Sequence, residues 1–254
     1  MKKSLSKIVI YQPAGLGDLI FCASIGQQLV NSGYRVIWPV ARQYVEEVAH
    51  IKNGVCYTEL SCEIADEFKE LQPGEVGIVQ FDGEICLGIK LDGVKYPNKG
   101  VMTSKYICMG LKTSNWRNVQ FYRNKRKEDE LYDLVIGNKK SFALINTEIG
   151  GIGHESSWKF PFWVTVDRSV ESVISLRRIE GFEIWDWFKV IEKAKHIFLM
   201  ETSISYLPEL TEIIAKKYML FSRSSIKSPN YWEFHNILKK PKLYLPSEFV
   251  KRRQ

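Results

Sequence analysis

Two glycines and an acid, Gly15-Leu16-Gly17-Asp18, stand where the apolar run 7–12 (KIVIYQ) hands over to residues at helical spacing. Glycine at such a turn opens backbone conformations closed to other residues and lets a ligand approach the main chain. The helix N-terminus behind it favours an anion. The turn therefore suits three uses: holding a phosphate, aiming a carboxylate as a base, or only reversing the chain. A dinucleotide-binding reading fails on the third glycine of GxGxxG, whose place Ile20 takes, and no GK[ST] of a P-loop follows. Asp18 also has a plain structural use as the N-cap or first-turn acid of the helix, where the helix dipole stabilises it by about 0.3–1 kcal/mol.

Other chemistries find little support. His50, His154, His196 and His235 are scattered, with no HxxxH pair, so no metal site is expected. There is no DxD pair and no GxSxG nucleophile elbow. The five cysteines, Cys22, Cys56, Cys62, Cys86 and Cys108, have irregular gaps and no CxxC, which fits reduced thiols. A net charge of +7 points to acidic partners such as nucleotides, nucleic acid or an anionic membrane face.

The elements that must position these residues follow from periodicity. After the first strand, Leu19, Cys22, Ala23, Gly26, Leu29 and Val30 recur at helical spacing, and a second strand over 34–40 ends at Pro39. A helical stretch over 43–50 completes a βαβ opening, whose parallel sheet binds ligands beyond the carboxyl ends of its strands. A strand over 76–81, a helix over 102–110 and an irregular segment over 116–122 follow. The charged helix at 123–133 places a domain boundary near it, giving lobes 1–135 and 136–254. The second lobe restarts the alternation with strands at 141–146, 172–176, 196–200 and 218–221, and a helix over 184–194 whose apolar stripe is Ile184, Trp187, Phe188, Ile191 and Ala194. The expected fold is α/β, two Rossmann-like lobes facing a central cleft, with that cleft as the site.

The order strand, GLGD, helix resembles the opening of the heptosyltransferase-type glycosyltransferases of family 9, which have the glycosyltransferase-B fold. The resemblance implies that Asp18 is the base that deprotonates the acceptor hydroxyl. The run 196–206 (HIFLMETSISY) is similar to the family's donor-facing strand, which ends in an acid followed by Thr and a small residue. Glu201, Thr202 and Ser203 match it, although the family's acid is aspartate and its small residue glycine. Hydroxyls and backbone N–H groups there suit phosphate oxygens, and the acid can orient those donors or hold a ribose hydroxyl; simple helix capping explains the same residues. The loop 148–162 (EIGGIGHESSWKFPF) has the place of a donor-phosphate loop, so Ser156, Ser157 and Lys159 are implied to meet the diphosphate, and Glu180, opening the next helix, the ribose. Gly15 and Gly17 complete this set of nucleotide- and phosphate-binding candidates.

The resemblance implies an inverting, metal-independent hexosyl- or heptosyltransferase. Its partners are a nucleotide-diphosphate sugar as donor substrate, with no cofactor, and a glycan or glycolipid acceptor. Rival readings are a DNA-directed glucosyltransferase of the same fold, a sugar-nucleotide epimerase and a non-catalytic nucleotide- or glycan-binding protein. No apolar run approaches the roughly 20 residues of a membrane span and no signal-peptide pattern opens the sequence, so a cytoplasmic protein is expected. The basic stretch with Lys239, Lys240, Lys242, Lys251, Arg252 and Arg253 reads first as a solvated edge, and leaves peripheral membrane contact open and nucleic acid less so.

Overall fold

The computed structural model describes residues 7–146 and 170–245. The chain divides into two compact units, Met1–Tyr122 and Arg123–Gln254. In the first, β1 (Lys7–Tyr11), α1 (Leu16–Asn31), β2 (Arg35–Val40), α2 (Val45–Val48), β3 (Ile51–Lys52), β4 (Cys56–Glu59), α3 (Cys62–Glu67), β5 (Val76–Phe81), β6 (Glu84–Lys90), α4 (Val101–Cys108) and β7 (Gln120–Phe121) follow in order. Five strands form one sheet, β4-β2-β1-β6-β5, while β3 pairs with β7 apart from it. All neighbours in the sheet are parallel except β5 with β6. Ile8, Val9 and Ile10 of the central β1 are buried, as a parallel strand covered on both faces requires.

Two features depart from the sequence expectation. β2 runs through Pro39 to Val40, because β1 pairs with β2 only as far as Ile37 and the β1-facing side beyond it needs no ladder donor. The strand at β6, which the periodicity passes over, lies directly beside β1. It is joined to β5 by Asp82 and Gly83, both at positive φ (48° and 74°), the two-residue hairpin geometry that Asp-Gly favours.

Helix α1 is fixed from below and from the side. Leu19, Ile20, Phe21, Cys22 and Ala23 are fully buried, and Phe21 stacks on Trp116 with ring centroids 5.1 Å apart. From α4, the Tyr106 hydroxyl donates to the Phe21 carbonyl (2.6 Å) and shares a hydrogen bond with Ser24 Oγ (2.7 Å). These bonds set the register of α4 against the first turns of α1.

In the second unit, α5 (Lys125–Ile136), β8 (Phe142–Ile145), β9 (Ser172–Ser175), α6 (Phe188–Lys193), β10 (His196–Met200), β11 (Lys217–Phe221), α7 (Pro229–Ile237) and β12 (Leu243–Leu245) are joined by 3-10 turns at Ile184–Trp187 and Ser203–Leu210. The sheet is β12-β11-β10-β8-β9 and wholly parallel. The stripe expected over 184–194 is split between the 3-10 turn and α6, with Trp185, Trp187, Phe188, Val190 and Ile191 buried. The unit border falls between Tyr122 and Arg123, ahead of the 135/136 position that the charge pattern suggests. Helix α5 packs on the second unit's helices, and Arg123 joins it there: its guanidinium pairs with the buried Glu128 of α5 and with Glu192 of α6, and lies 4.6 Å from the centre of the Phe188 ring. That cluster welds α5 to the second sheet's helices.

Replacing Tyr106 by Phe removes the partner of the buried Ser24 hydroxyl and should lower stability by about 1–3 kcal/mol. Urea denaturation measures this, and an unchanged midpoint would show that α4 is held by packing alone.

Candidate functional site

In the first unit the chain passes from β1 to β2 and β4 on one side, then returns to β5 and β6 on the other. The reversal lies between β1 and β6, and ligands of such sheets gather beyond the carboxyl ends of the strands at that point. The loop from Gln12 to Gly15 lies there. It is braced by Trp38 Nε1 donating to the Gln12 carbonyl (3.0 Å) and by the Gln12 side-chain amide donating to the Ala14 carbonyl (3.0 Å).

The two glycines of the motif have different duties. Gly15 is the N-cap of α1 with φ +83°, and a Cβ on it would lie 2.6 Å from Asp18 Oδ2. Gly17 lies inside the first helical turn, and its φ is not positive. The turn thus needs glycine at position 15 both for its backbone and to seat the Asp18 carboxylate.

Asp18 Oδ1 accepts a charged hydrogen bond from Lys105 Nζ of α4. The lysine side chain is 3% exposed and that of Asp18 28%. Burial alone pulls the Lys105 pKa down, but the neighbouring Cys22, Asp18 and Asp92 outweigh it and hold the value above the ordinary lysine range. Asp92 follows β6 at the same crevice, where its N–H and that of Leu91 both donate to the Tyr11 carbonyl (3.0 Å each). Burial and the Asp92 charge push the Tyr11 phenol up. Lys105 and Asp92 carry no sequence signal of a role, since only the packing of α4 and the placing of β6 bring them to the turn.

The second unit has the corresponding reversal between β8 and β10, the chain going from β8 to β9 on one side and to β10, β11 and β12 on the other. Asn146, just beyond β8, donates its backbone N–H to the Phe198 carbonyl (3.0 Å) and its side-chain amide to Thr202 Oγ1 (3.1 Å). It joins the ends of β8 and β10, a link to which the sequence analysis assigned no residue. The 3-10 turn after Thr202 begins with half-buried Ser203, and Thr202 does not cap it through its side chain.

Glu201 differs from its expected position facing a ligand. It is 3% exposed, and its Oε2 accepts from Ser222 Oγ (2.5 Å) and Tyr244 Oη (2.7 Å). Burial pushes its carboxyl up, partly opposed by the Ser222 and Tyr244 hydrogen bonds and by Arg223. Glu201 therefore ties the ends of β10, β11 and β12 together. Glu180 is exposed in a tight turn in which the Phe182 N–H donates to the Ile179 carbonyl (3.1 Å). It does not open the following helix: Glu183 does, in a reciprocal cap with Asp186. Ser156, Ser157 and Lys159 lie outside the described residues. Among the described residues no group of three His, Cys, Asp or Glu converges as metal ligands, and no helix is long and apolar enough to cross a membrane.

No protein-family profile and no curated protein matches the chain. Solved structures do. The glycosyl transferase family 9 protein of Veillonella parvula is similar over 98% of this chain and 88% of its own length, with a TM-score of 0.53 and 10% identity. The E. coli heptosyltransferase WaaC with ADP aligns over 94% of this chain and 90% of its own, with a TM-score of 0.45 and 10% identity. The iron-containing dodecameric glycosyltransferase TibC of enterotoxigenic E. coli aligns with 90% of this chain, at a TM-score of 0.44 and 10% identity, and the chain spans 60% of its length. The Veillonella likeness supports the glycosyltransferase-B type of fold expected from the sequence, two parallel-rich Rossmann-like units in series.

The raised Glu201 pKa has a testable sign. The folded state holds that proton more tightly than the unfolded chain, so the associated stability is complete below the ordinary carboxylate pKa and is lost as pH rises through the folded value. Glu201→Gln keeps an acceptor for Ser222 and Tyr244 without the charge. Urea midpoints should show the variant gaining on the wild type as pH rises above the ordinary carboxylate range and through the folded value; a constant difference would mean that Glu201 is solvated.

Proposed function

We propose that the protein is an inverting, metal-independent glycosyltransferase that moves a sugar from a nucleotide-diphosphate donor to a hydroxyl of a glycan or glycolipid. The observation that carries this reading is Asp18. Within a fold similar to a family 9 glycosyl transferase, a carboxylate follows the glycine turn at the carboxyl end of β1, partly exposed and anchored through one oxygen.

In this reading the acceptor oxygen forms a bond to the anomeric carbon of the sugar while the bond from that carbon to the diphosphate oxygen breaks. The hydroxyl proton passes to Asp18, and the nucleoside diphosphate leaves with the electron pair. The second unit's crevice takes the donor. Ser203 and the N–H groups opening its 3-10 turn face the phosphates, Asn146 holds Thr202 in place beside them, and Glu201 acts from behind by fixing the strand ends. Ser157 and Lys159 are assigned to the leaving diphosphate, and Glu180 to the ribose, on the sequence resemblance.

General-base help contributes roughly 10²–10⁴-fold, so Asp18→Asn should lower turnover by about that factor with the fold intact. Circular dichroism and a transfer assay with nucleotide-diphosphate sugars test this, and full activity in the variant would remove the base role. A thermal-shift panel of the same donors tests the substrate class, because a ligand at 100 times its dissociation constant stabilises by about 2.7 kcal/mol. A flat response across the panel would overturn donor binding.

A further inference from the structure

The Asp18 carboxylate is divided between two surroundings. Oδ1 is held by Lys105 Nζ, while Oδ2 lies over Gly15, where no Cβ intervenes, and has no hydrogen-bond partner among the described residues. The ammonium comes from a side chain almost entirely buried in α4, whose register Tyr106 sets against α1. A first-turn acid needs no such partner, since the helix dipole already favours it at the surface. Burying a lysine there has a desolvation cost that an apolar side chain would avoid, and its pairing offsets that cost only while the geometry is kept. The pair is therefore more than helix capping requires.

From this we infer that Lys105 is a positioning residue for transfer: it locks the rotation of the Asp18 carboxylate through Oδ1 and thereby dedicates Oδ2 to receiving the acceptor proton. The inference rests on Asp18 being the base. During transfer the proton goes to Oδ2, and Lys105 keeps its own proton and its bond to Oδ1. The other ionisable groups about the ammonium are Cys22 of α1 and Asp92 after β6, with Tyr11 at the end of β1 coupled to Asp92. Gly15 takes part sterically, because any side chain there would press on Oδ2.

The test compares Lys105→Met and Lys105→Arg with the wild type in steady-state transfer, beside Asp18→Asn. A positioning role predicts that Lys105→Met lowers kcat by about 10–100-fold, the scale of a misplaced catalytic group, with donor and acceptor KM nearly unchanged. Lys105→Arg, which keeps a cation within reach of Oδ1, should recover most of that loss. A structural lysine would instead change KM and thermal midpoint together, and that outcome overturns the inference, as does full kcat in Lys105→Met. If Asp18→Asn is itself fully active, the base reading fails first. A readout without substrate covers a variant that does not fold: nitrogen-15 NMR of the Lys105 ammonium in wild type and Asp18→Asn. Loss of the carboxylate charge should lower the lysine titration, and an unchanged titration would show that the two groups are not coupled.

Discussion

Everything at the two candidate crevices depends on one constraint of parallel sheets: the carboxyl ends of the strands open where the strand order reverses. In the first unit the reversal falls beside β1, so the turn after β1 lies at the edge where ligands of such sheets gather. In the second it falls between β8 and β10, and Asn146 and Thr202 meet across it at 3.1 Å. The same topology brings Asp92, from the end of β6, to the turn that carries Asp18. Polar residues far apart in the chain gather at these ends, where the buried strands themselves are apolar.

The two crevices hold their acids by different means. Asp18 has a cationic partner delivered by a neighbouring helix and keeps part of its surface open. Glu201 has two hydroxyl donors and almost no exposure, and burial raises its carboxyl. A carboxylate with a fixed cation on one oxygen presents the other oxygen in a set direction. One enclosed by neutral donors is suited to hold strands in place. The division of labour in the proposed mechanism follows from that contrast.

The sequence revealed the parts of this design that local physics determines. Continuous apolar runs identified β1, β8, β10 and β11, and the Gly-Leu-Gly-Asp motif marked the turn from β1 into α1. What escaped was long-range. β6 begins with exposed Glu84 and Ile85 and so lacks a clean apolar run, although Asp82-Gly83 is a hairpin signal that would have exposed it. Lys105 looks like an ordinary surface lysine in a helix, and only the docking of α4 on α1 makes it a partner of Asp18. Arg123 reads as one basic residue in a charged run, yet it pairs with Glu128 and Glu192 in the second unit. Glu180 and Glu183 compete as helix caps at the same place, and the reciprocal bond with Asp186 decides for the second.

The Glu201 network also has a history in time. During synthesis Glu201 emerges 43 residues ahead of Tyr244, an interval of roughly 2–9 s at about 5–20 residues per second. Through that interval the glutamate remains hydrated, because the strand that covers it has not yet been made. The ends of β10, β11 and β12 are tied together only once β12 has docked on β11 and brought Tyr244 to the carboxylate.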